Sequence, residues 1–276
     1  MGYNIPGMLE SITSILLDIC ALDSARPVVV GVSGGPDSMC LLDLVHKAGY
    51  PVLVACLNHG LRSESPAEVS LVSQVAESLK VPFTSKTVDT PKFALETGFS
   101  VEAAARQLRY DFLFSEALKI NAQAIAVGHT ADDQAETVLM HLMRGAGLAG
   151  LKGMEFRSFL TSWSTKIPLV RPLLNTWRSE IVDYCRQHNL TAAQDTSNQS
   201  LAYFRNQIRL DILPYLAQYQ PNIRQNLVRM ANTLSADYEL VQGLVESGWN
   251  SCLAEHGQEY IALYRRKLID LPVAVQ

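Results

Sequence analysis

The chain is 276 residues long, 48% hydrophobic and 18% charged with a formal net charge of −4, which allows a sizeable core in one large domain or two smaller ones. No apolar run approaches the roughly eighteen residues of a membrane span. The N-terminus has no basic segment ahead of its apolar residues and is broken by Glu10 and Asp18, which argues against a secretory leader and points to the cytoplasm. Cys20, Cys40, Cys56, Cys185 and Cys252 lie far apart with no C-x-x-C pair, so a zinc ribbon, a cysteine-ligated cluster or a thiol relay has little support.

Residues 6–22 carry Met8, Leu9, Ile12, Ile15, Leu16 and Ile19 at three- and four-residue spacing, the pattern of an amphipathic helix packed outside a sheet. Val28, Val29, Val30 and Val32 then read as a buried strand. Met39, Leu41, Leu42, Leu44 and Val45 read as one face of a helix. Between them Ser33, Gly34, Gly35, Pro36, Asp37 and Ser38 make a strand-to-helix turn, whose backbone N–H groups and helix dipole favour an anion. An ordinary turn is the plainer alternative. A Walker A loop is excluded, since no lysine follows the glycines. The six residues resemble the S-G-G-x-D-S loop of the ATP pyrophosphatase superfamily, which grips the pyrophosphate end of ATP.

Val52 to Leu57 form a second apolar strand ending in Asn58 and His59, at the carboxyl edge where open α/β sheets bind ligands. A helix over 66–80, a strand from Val81 to Val88 and a polar connection from Asp89 through Phe99 follow. Ser100 caps a long helix through Lys119 that carries Arg106 and Arg109 on one face. A strand from Ala124 to Val127 leads into Gly128, His129 and Thr130. Thr130 caps the next helix, with Val138, Leu139 and Leu142 on its buried face. His129, Asp133 and Glu136 are four and three residues apart and project close together, with Asp132 beside them. Acidic residues suit a helix N-terminus for its dipole alone. Three carboxylates and an imidazole exceed that need and suit a magnesium ion, a cationic substrate, or both. Strand–helix alternation over 28–145 argues a doubly wound parallel sheet with both loops on one edge.

Residues 145–153 hold four glycines and read as a mobile, lid-like loop. A short strand from Lys166 to Val170, a rigid turn from Arg171 to Leu174 and a helix from Thr176 to His188 come next. After a polar turn at Asp195–Asn198, a further helix carries Arg205 and Arg209 one turn apart. Residues 222–247 form a long helix, and a domain boundary is expected near 216. Residues 259–268 read as a strand leading to a turn. Asp270, Leu271 and Pro272 then have the form of a helix start, which too few residues follow to sustain. A longer native protein is the expectation. Residues 144–230 carry 11 basic against 5 acidic side chains, either a solvated face or a surface for phosphate.

The series S-G-G-P-D-S, L-N-H-G-L-R, E-A-A-A-R-Q-L-R-Y, G-H-T-A-D-D-Q-A-E-T, R-G-A-G-L-A-G-L, R-P-L-L and R-N-Q-I-R is similar to the tRNA(Ile)-lysidine synthetase family, over residues 27–215. The resemblance implies an α/β fold, with a doubly wound parallel sheet of the PP-loop type in residues 1–216. A smaller, mainly helical tRNA-binding domain would fill 217–276. It implies ATP as substrate, Mg2+ as cofactor, and tRNA(Ile) with a CAU anticodon and free L-lysine as partners. The reaction would adenylate carbon 2 of the wobble cytidine, and the ε-amine of lysine would then displace AMP.

By the same resemblance, Ser33, Gly34, Gly35, Pro36, Asp37, Ser38, Asn58 and His129 would hold ATP, and Asp37 and Asp133 the metal. Glu136, with Asp133 or Asp132, would bind the cationic groups of lysine and help deprotonate the attacking amine. Arg109 and Arg205 would hold phosphate or the activated cytidine, with Arg144 and Arg209 serving the substrates as well. A tRNA thiolase of the same superfamily is the nearest rival, but its paired cysteines are missing. A non-catalytic nucleotide sensor leaves the acidic cluster without a task. A homodimer is compatible with these residues, which do not decide it.

Overall fold

The computed structural model describes residues 6–61, 65–193, 204–257 and 259–276; Arg62 of the L-N-H-G-L-R motif and the turn at Asp195–Asn198 lie outside them. The chain opens with α1 (Pro6–Ser14), prolonged by a π-helical turn over Ile15–Ile19, then β1 (Val28–Gly31), α2 (Pro36–Lys47) and β2 (Val52–Asn58). It continues through α3 (Ser65–Ser78), β3 (Phe83–Thr87), α4 (Thr90–Thr97), α5 (Val101–Lys119), β4 (Ala124–Val127) and α6 (Ala131–Met143). Next come α7 (Leu148–Leu151), β5 (Arg157–Ser158), β6 (Leu169–Val170), α8 (Arg178–Gln187) and α9 (Phe204–Gln207), the last followed by a π-helical turn over Ile208–Ile212. The chain closes with α10 (Leu213–Tyr219), α11 (Ile223–Cys252), β7 (Leu253–His256), β8 (Ile261–Leu263) and α12 (Arg265–Ile269). Two compact units result: Met1–Gln134 with Met154–Leu210, and Ala135–Gly153 with Asp211–Gln276.

The first unit is built on a six-stranded sheet of order β3-β2-β1-β4-β6-β5. All its pairs are parallel except β5 with β6. The central strands are apolar at nearly every position because helices cover both faces. Val28 and Val30 enter one core with α1, α2, α3 and α8, while Val29 enters the other with Tyr110, Leu113 and Phe114 of α5. Chain order runs outward from β1 to β3 on one side and resumes at β4 on the other. The reversal between β1 and β4 is a topological switch point, where such sheets bind ligands at the strands' carboxyl ends.

α2 is buried around most of its girth, with Ser38 through Val45 all out of solvent. That burial includes the carboxylate of Asp43, which accepts hydrogen bonds from Tyr184 Oη at 2.6 Å and Lys47 Nζ at 2.7 Å. A buried charge so paired is tolerated where a lone one would not be.

In the second unit α7 packs on α11, with the Lys152 ammonium 4.0 Å from the centre of the Tyr238 ring. The stretch from Gly145 to Gly153, expected as continuous loop, therefore contains a helical turn, with Gly147 at its N-cap. Leu142 is 49% exposed, whereas Val138 and Leu139 are buried as expected. β7 and β8 pair antiparallel. The expected helix start at Asp270 is instead the end of α12, where the Asp270 N–H donates to the Arg266 carbonyl. Leu271 and Val275 pack beside Gly248 of α11, where an added Cβ would meet them at 3.0 and 3.1 Å. These apolar residues thus have a partner surface that the sequence pattern alone did not supply.

Candidate active site

Four loops of the first unit leave the carboxyl ends of adjacent parallel strands: Ser33–Asp37 after β1, Asn58–Leu61 after β2, Gly128–Thr130 after β4 and Arg171 after β6. Gly34 has φ +89°, in the left-handed region that favours glycine. Gly35 is the N-cap of α2 and Pro36 occupies its first turn, where a missing N–H costs nothing. Ser38 Oγ donates to the Gly35 carbonyl at 2.9 Å and accepts from the Ser33 N–H at 3.2 Å, which closes the loop on itself. An open cleft of about 110 Å³ adjoins it, lined by Ser33, Gly35, Asn58, His59, Glu68 and Ala193 among others. Asn58 is buried and steadies the second loop by accepting from the Gly60 N–H at 2.9 Å.

Gly128 permits the close approach of the β4 loop to the β1 loop. A Cβ there would lie 3.0 Å from the carbonyl carbon and oxygen of Asp37. Asp37 sits in the first turn of α2, and its Oδ2 is 3.5 Å from Arg178 Nη1. Its Oδ1 is buried with no hydrogen-bond partner among the described residues. Burial raises the Asp37 carboxyl to about 6, against the opposing pull of Arg178 and with a further push from Asp133.

Asp133 is differently placed. Its Oδ2 accepts from both the N–H (2.9 Å) and hydroxyl (3.1 Å) of Thr130, while the Asp133 N–H donates back to that hydroxyl. Its Oδ1 accepts from Arg205 Nη2 and Arg209 Nη2, each at 3.2 Å. Burial alone would raise this carboxyl, but Arg205, His129, the Thr130 N–H and Arg209 together hold it below the ordinary range. The two arginines of the R-N-Q-I-R motif are thus gathered on a carboxylate that the family resemblance assigned to metal. Both oxygens of Asp133 are engaged, whereas Asp37 retains an oxygen that fits a cation. Magnesium commonly takes one or two carboxylates and completes its shell with phosphate and water, so Asp37 suits it. Among the described residues no group of three or more His, Cys, Asp or Glu gathers into a metal cage.

His129 lies beside this cluster with Nδ1 buried and unpartnered among the described residues. Burial drives its pKa down, opposed by Asp133 and reinforced by Arg171, Arg205 and Arg109, so the ring is neutral. Arg109 itself is exposed on α5. Asp132 Oδ2 accepts the Arg178 backbone N–H at 2.9 Å and so anchors the start of α8. Glu136 is buried one turn further along α6. Arg144, just past α6, is exposed in the second unit. One site residue has no mark in the motif reading, Arg178, which meets Asp37 from α8; Gly128 opens the G-H-T-A-D-D-Q-A-E-T motif but is given no role there. The sequence signal for Gly128 was a glycine directly after an apolar strand, where another backbone often approaches.

A family model described as a PP-loop domain matches residues 8–216. The tRNA(Ile)-lysidine synthase of Gloeobacter violaceus is 37% identical over 254 residues, covering 90% of this chain and 74% of that protein. The chain belongs to the tRNA(Ile)-lysidine synthase family. The enzyme of that name from Clostridioides difficile is 38% identical over 226 residues, 80% of this chain and 47% of its own length. The chain spans about half the length of that relative and of those from Dehalococcoides mccartyi and Parabacteroides distasonis, at 45% and 51%. Among solved structures, the U34-tRNA thiolase NcsA of Methanococcus maripaludis has a TM-score of 0.68 at 17% identity, covering 83% of this chain and 79% of its own. That likeness supports the PP-loop fold. No helix among the described residues is long and apolar enough to cross a membrane.

Proposed function

We propose that this chain carries the ATP-dependent ligase activity its family name describes: adenylation of the wobble cytidine of tRNA(Ile), then capture by lysine. The observation that carries the reading is the Ser33–Ser38 loop, closed on itself at the N-terminus of α2, with Asp37 and the Asp133–Arg205–Arg209 cluster at the same sheet edge. The loop amides and the α2 dipole suit the polyphosphate of ATP. Asp37 would hold magnesium, which supplies charge neutralisation for the departing pyrophosphate when bound.

In the first step the cytidine O2 attacks the α-phosphorus and pyrophosphate leaves, so carbon 2 gains AMP as a leaving group. In the second, the ε-amine of lysine attacks carbon 2, AMP departs, and the amine loses its proton. Arg205 and Arg209 fit the first step, since guanidinium groups already gathered on Asp133 can serve a phosphate or the activated base. The buried carboxylate of Asp133 fits the lysine ammonium and the release of its proton. Neutral His129 adds a hydrogen-bonding group without a competing positive charge. The substrate tRNA is proposed to carry a CAU anticodon, and the cytoplasm is the proposed compartment.

A tRNA thiolase is the weaker reading. All five cysteines are buried, and burial pushes the Cys20 thiol up to about 12 and Cys56 to about 11, the reverse of what a reactive thiol needs at those two positions. The test is transfer of radiolabelled lysine to tRNA(Ile) bearing CAU, with ATP and magnesium. Label on that tRNA alone is expected; no transfer, or equal transfer to an initiator tRNA with the same anticodon, would overturn the reading.

A further inference from the structure

Arg178 belongs to no motif of the loop, yet the fold fixes it over the loop from three directions. Its backbone N–H donates to Asp132 Oδ2 at 2.9 Å. One turn and more along α8, Tyr184 Oη donates to the buried Asp43 of α2 at 2.6 Å. Cys185 Sγ donates to the carbonyl of Pro36, inside the loop itself, at 3.6 Å. With Ile181, Tyr184 and Cys185 all buried, α8 is docked on α2 and its first residue cannot drift from Asp37.

The guanidinium, by contrast, is lightly used. Among the described residues it makes one ion pair, Nη1 to Asp37 Oδ2 at 3.5 Å, and donates no side-chain hydrogen bond. The side chain is 39% exposed. A rigidly mounted, partly exposed arginine with that single ion pair, beside the first turn of α2, is arranged for an oxyanion. Its partner Asp37 is the residue best suited to a cation, so the pair is one that a bound magnesium polyphosphate can exchange.

We propose that Arg178 is a phosphate-binding residue of the ATP site, transferring from Asp37 to the β- and γ-phosphates when nucleotide binds and remaining with pyrophosphate as it leaves. The proposal rests on the reading of the Ser33–Ser38 loop as the ATP site. The contacts lie on the two phosphates that AMP lacks, which separates this role from a structural one.

The test is calorimetric binding of ATP, inorganic pyrophosphate and AMP, at one fixed magnesium concentration, to the unaltered chain and to Arg178→Gln and Arg178→Lys. Loss of a charge-assisted phosphate contact in Arg178→Gln is expected to weaken ATP and pyrophosphate by about tenfold or more. AMP should stay within about twofold, and Arg178→Lys should recover part of the loss because it keeps the charge without the fork. Unchanged ATP and pyrophosphate affinity in Arg178→Gln overturns the proposal and leaves the ATP site standing. Equal weakening of all three ligands also overturns it, since that is the signature of a disturbed cleft. Failure of the unaltered chain to bind ATP overturns the reading of the loop and this proposal with it.

Discussion

Asp37 couples function to stability through one carboxyl group. Burial raises its folded pKa to about 6 from an ordinary 3.8, so between those values the folded protein binds a proton that the unfolded chain does not. The stabilisation this gives is present below pH 3.8 and is lost as pH rises through 6. At pH 8 the ionised group therefore destabilises the fold, by about 3 kcal/mol for a shift of roughly two units. Asp37→Asn should raise stability by about that amount at pH 8, with the gain shrinking towards zero below pH 4, while abolishing ATP turnover. Denaturant unfolding across pH checks the first part; a variant no more stable at pH 8 than its parent would show that Asp37 is not under that burden. Gly128→Ala acts on the same residue from behind. Its Cβ would press on the Asp37 carbonyl at 3.0 Å, and backbone cannot yield as a flexible side chain does. A loss of about 1–3 kcal/mol is expected, with ATP turnover falling further than stability alone explains. Turnover measured well below the melting transition decides it, and near-parental turnover would contradict the close packing.

At the scale of elements, α8 holds the loop of α2 in place through buried polar contacts. Tyr184→Phe removes one of two donors to Asp43, and leaving that carboxylate short should cost about 1–3 kcal/mol. A thermal melt checks this, and an unchanged midpoint would mean that Lys47 alone satisfies the group. Much of this level was legible in the sequence. The valines of β1, the glycine pair, the Ser100 cap and the long helix near 222–247 all have local causes, so periodicity and capping chemistry reveal them. Ser100 Oγ does accept the Ala103 N–H at 3.2 Å. What escaped the pattern depends on docking. Arg178 reads as an ordinary residue of a helix until α8 lies on α2, and the two arginines that α9 and the π-helical turn after it bring to Asp133 are equally invisible in the spacing of its own helix. The glycine-rich stretch at 145–153 reads as loop because its helical turn is stabilised by packing on α11 rather than by its own propensity.

For the molecule as a whole, a net charge of −4 does not argue against a polyanionic substrate, because the basic residues are concentrated between 144 and 230. Binding of tRNA should weaken steeply with salt as counterions are released. Arg205→Glu should weaken it more than Arg26→Glu, since Arg26 precedes β1 at the amino end of the sheet; a filter-binding titration with equal losses would remove Arg205 from the footprint. Adenylation of tRNA at the loop after β1 is the proposed chemistry. It is tested most directly by incubating the chain with tRNA(Ile) bearing CAU and ATP labelled at the α-phosphate, without lysine. Label should become attached to the tRNA and be released as AMP on adding lysine, while γ-labelled ATP gives only free pyrophosphate. Transfer of the γ-label to tRNA, or no tRNA-linked label from the α-position with lysine still being incorporated, would contradict the account.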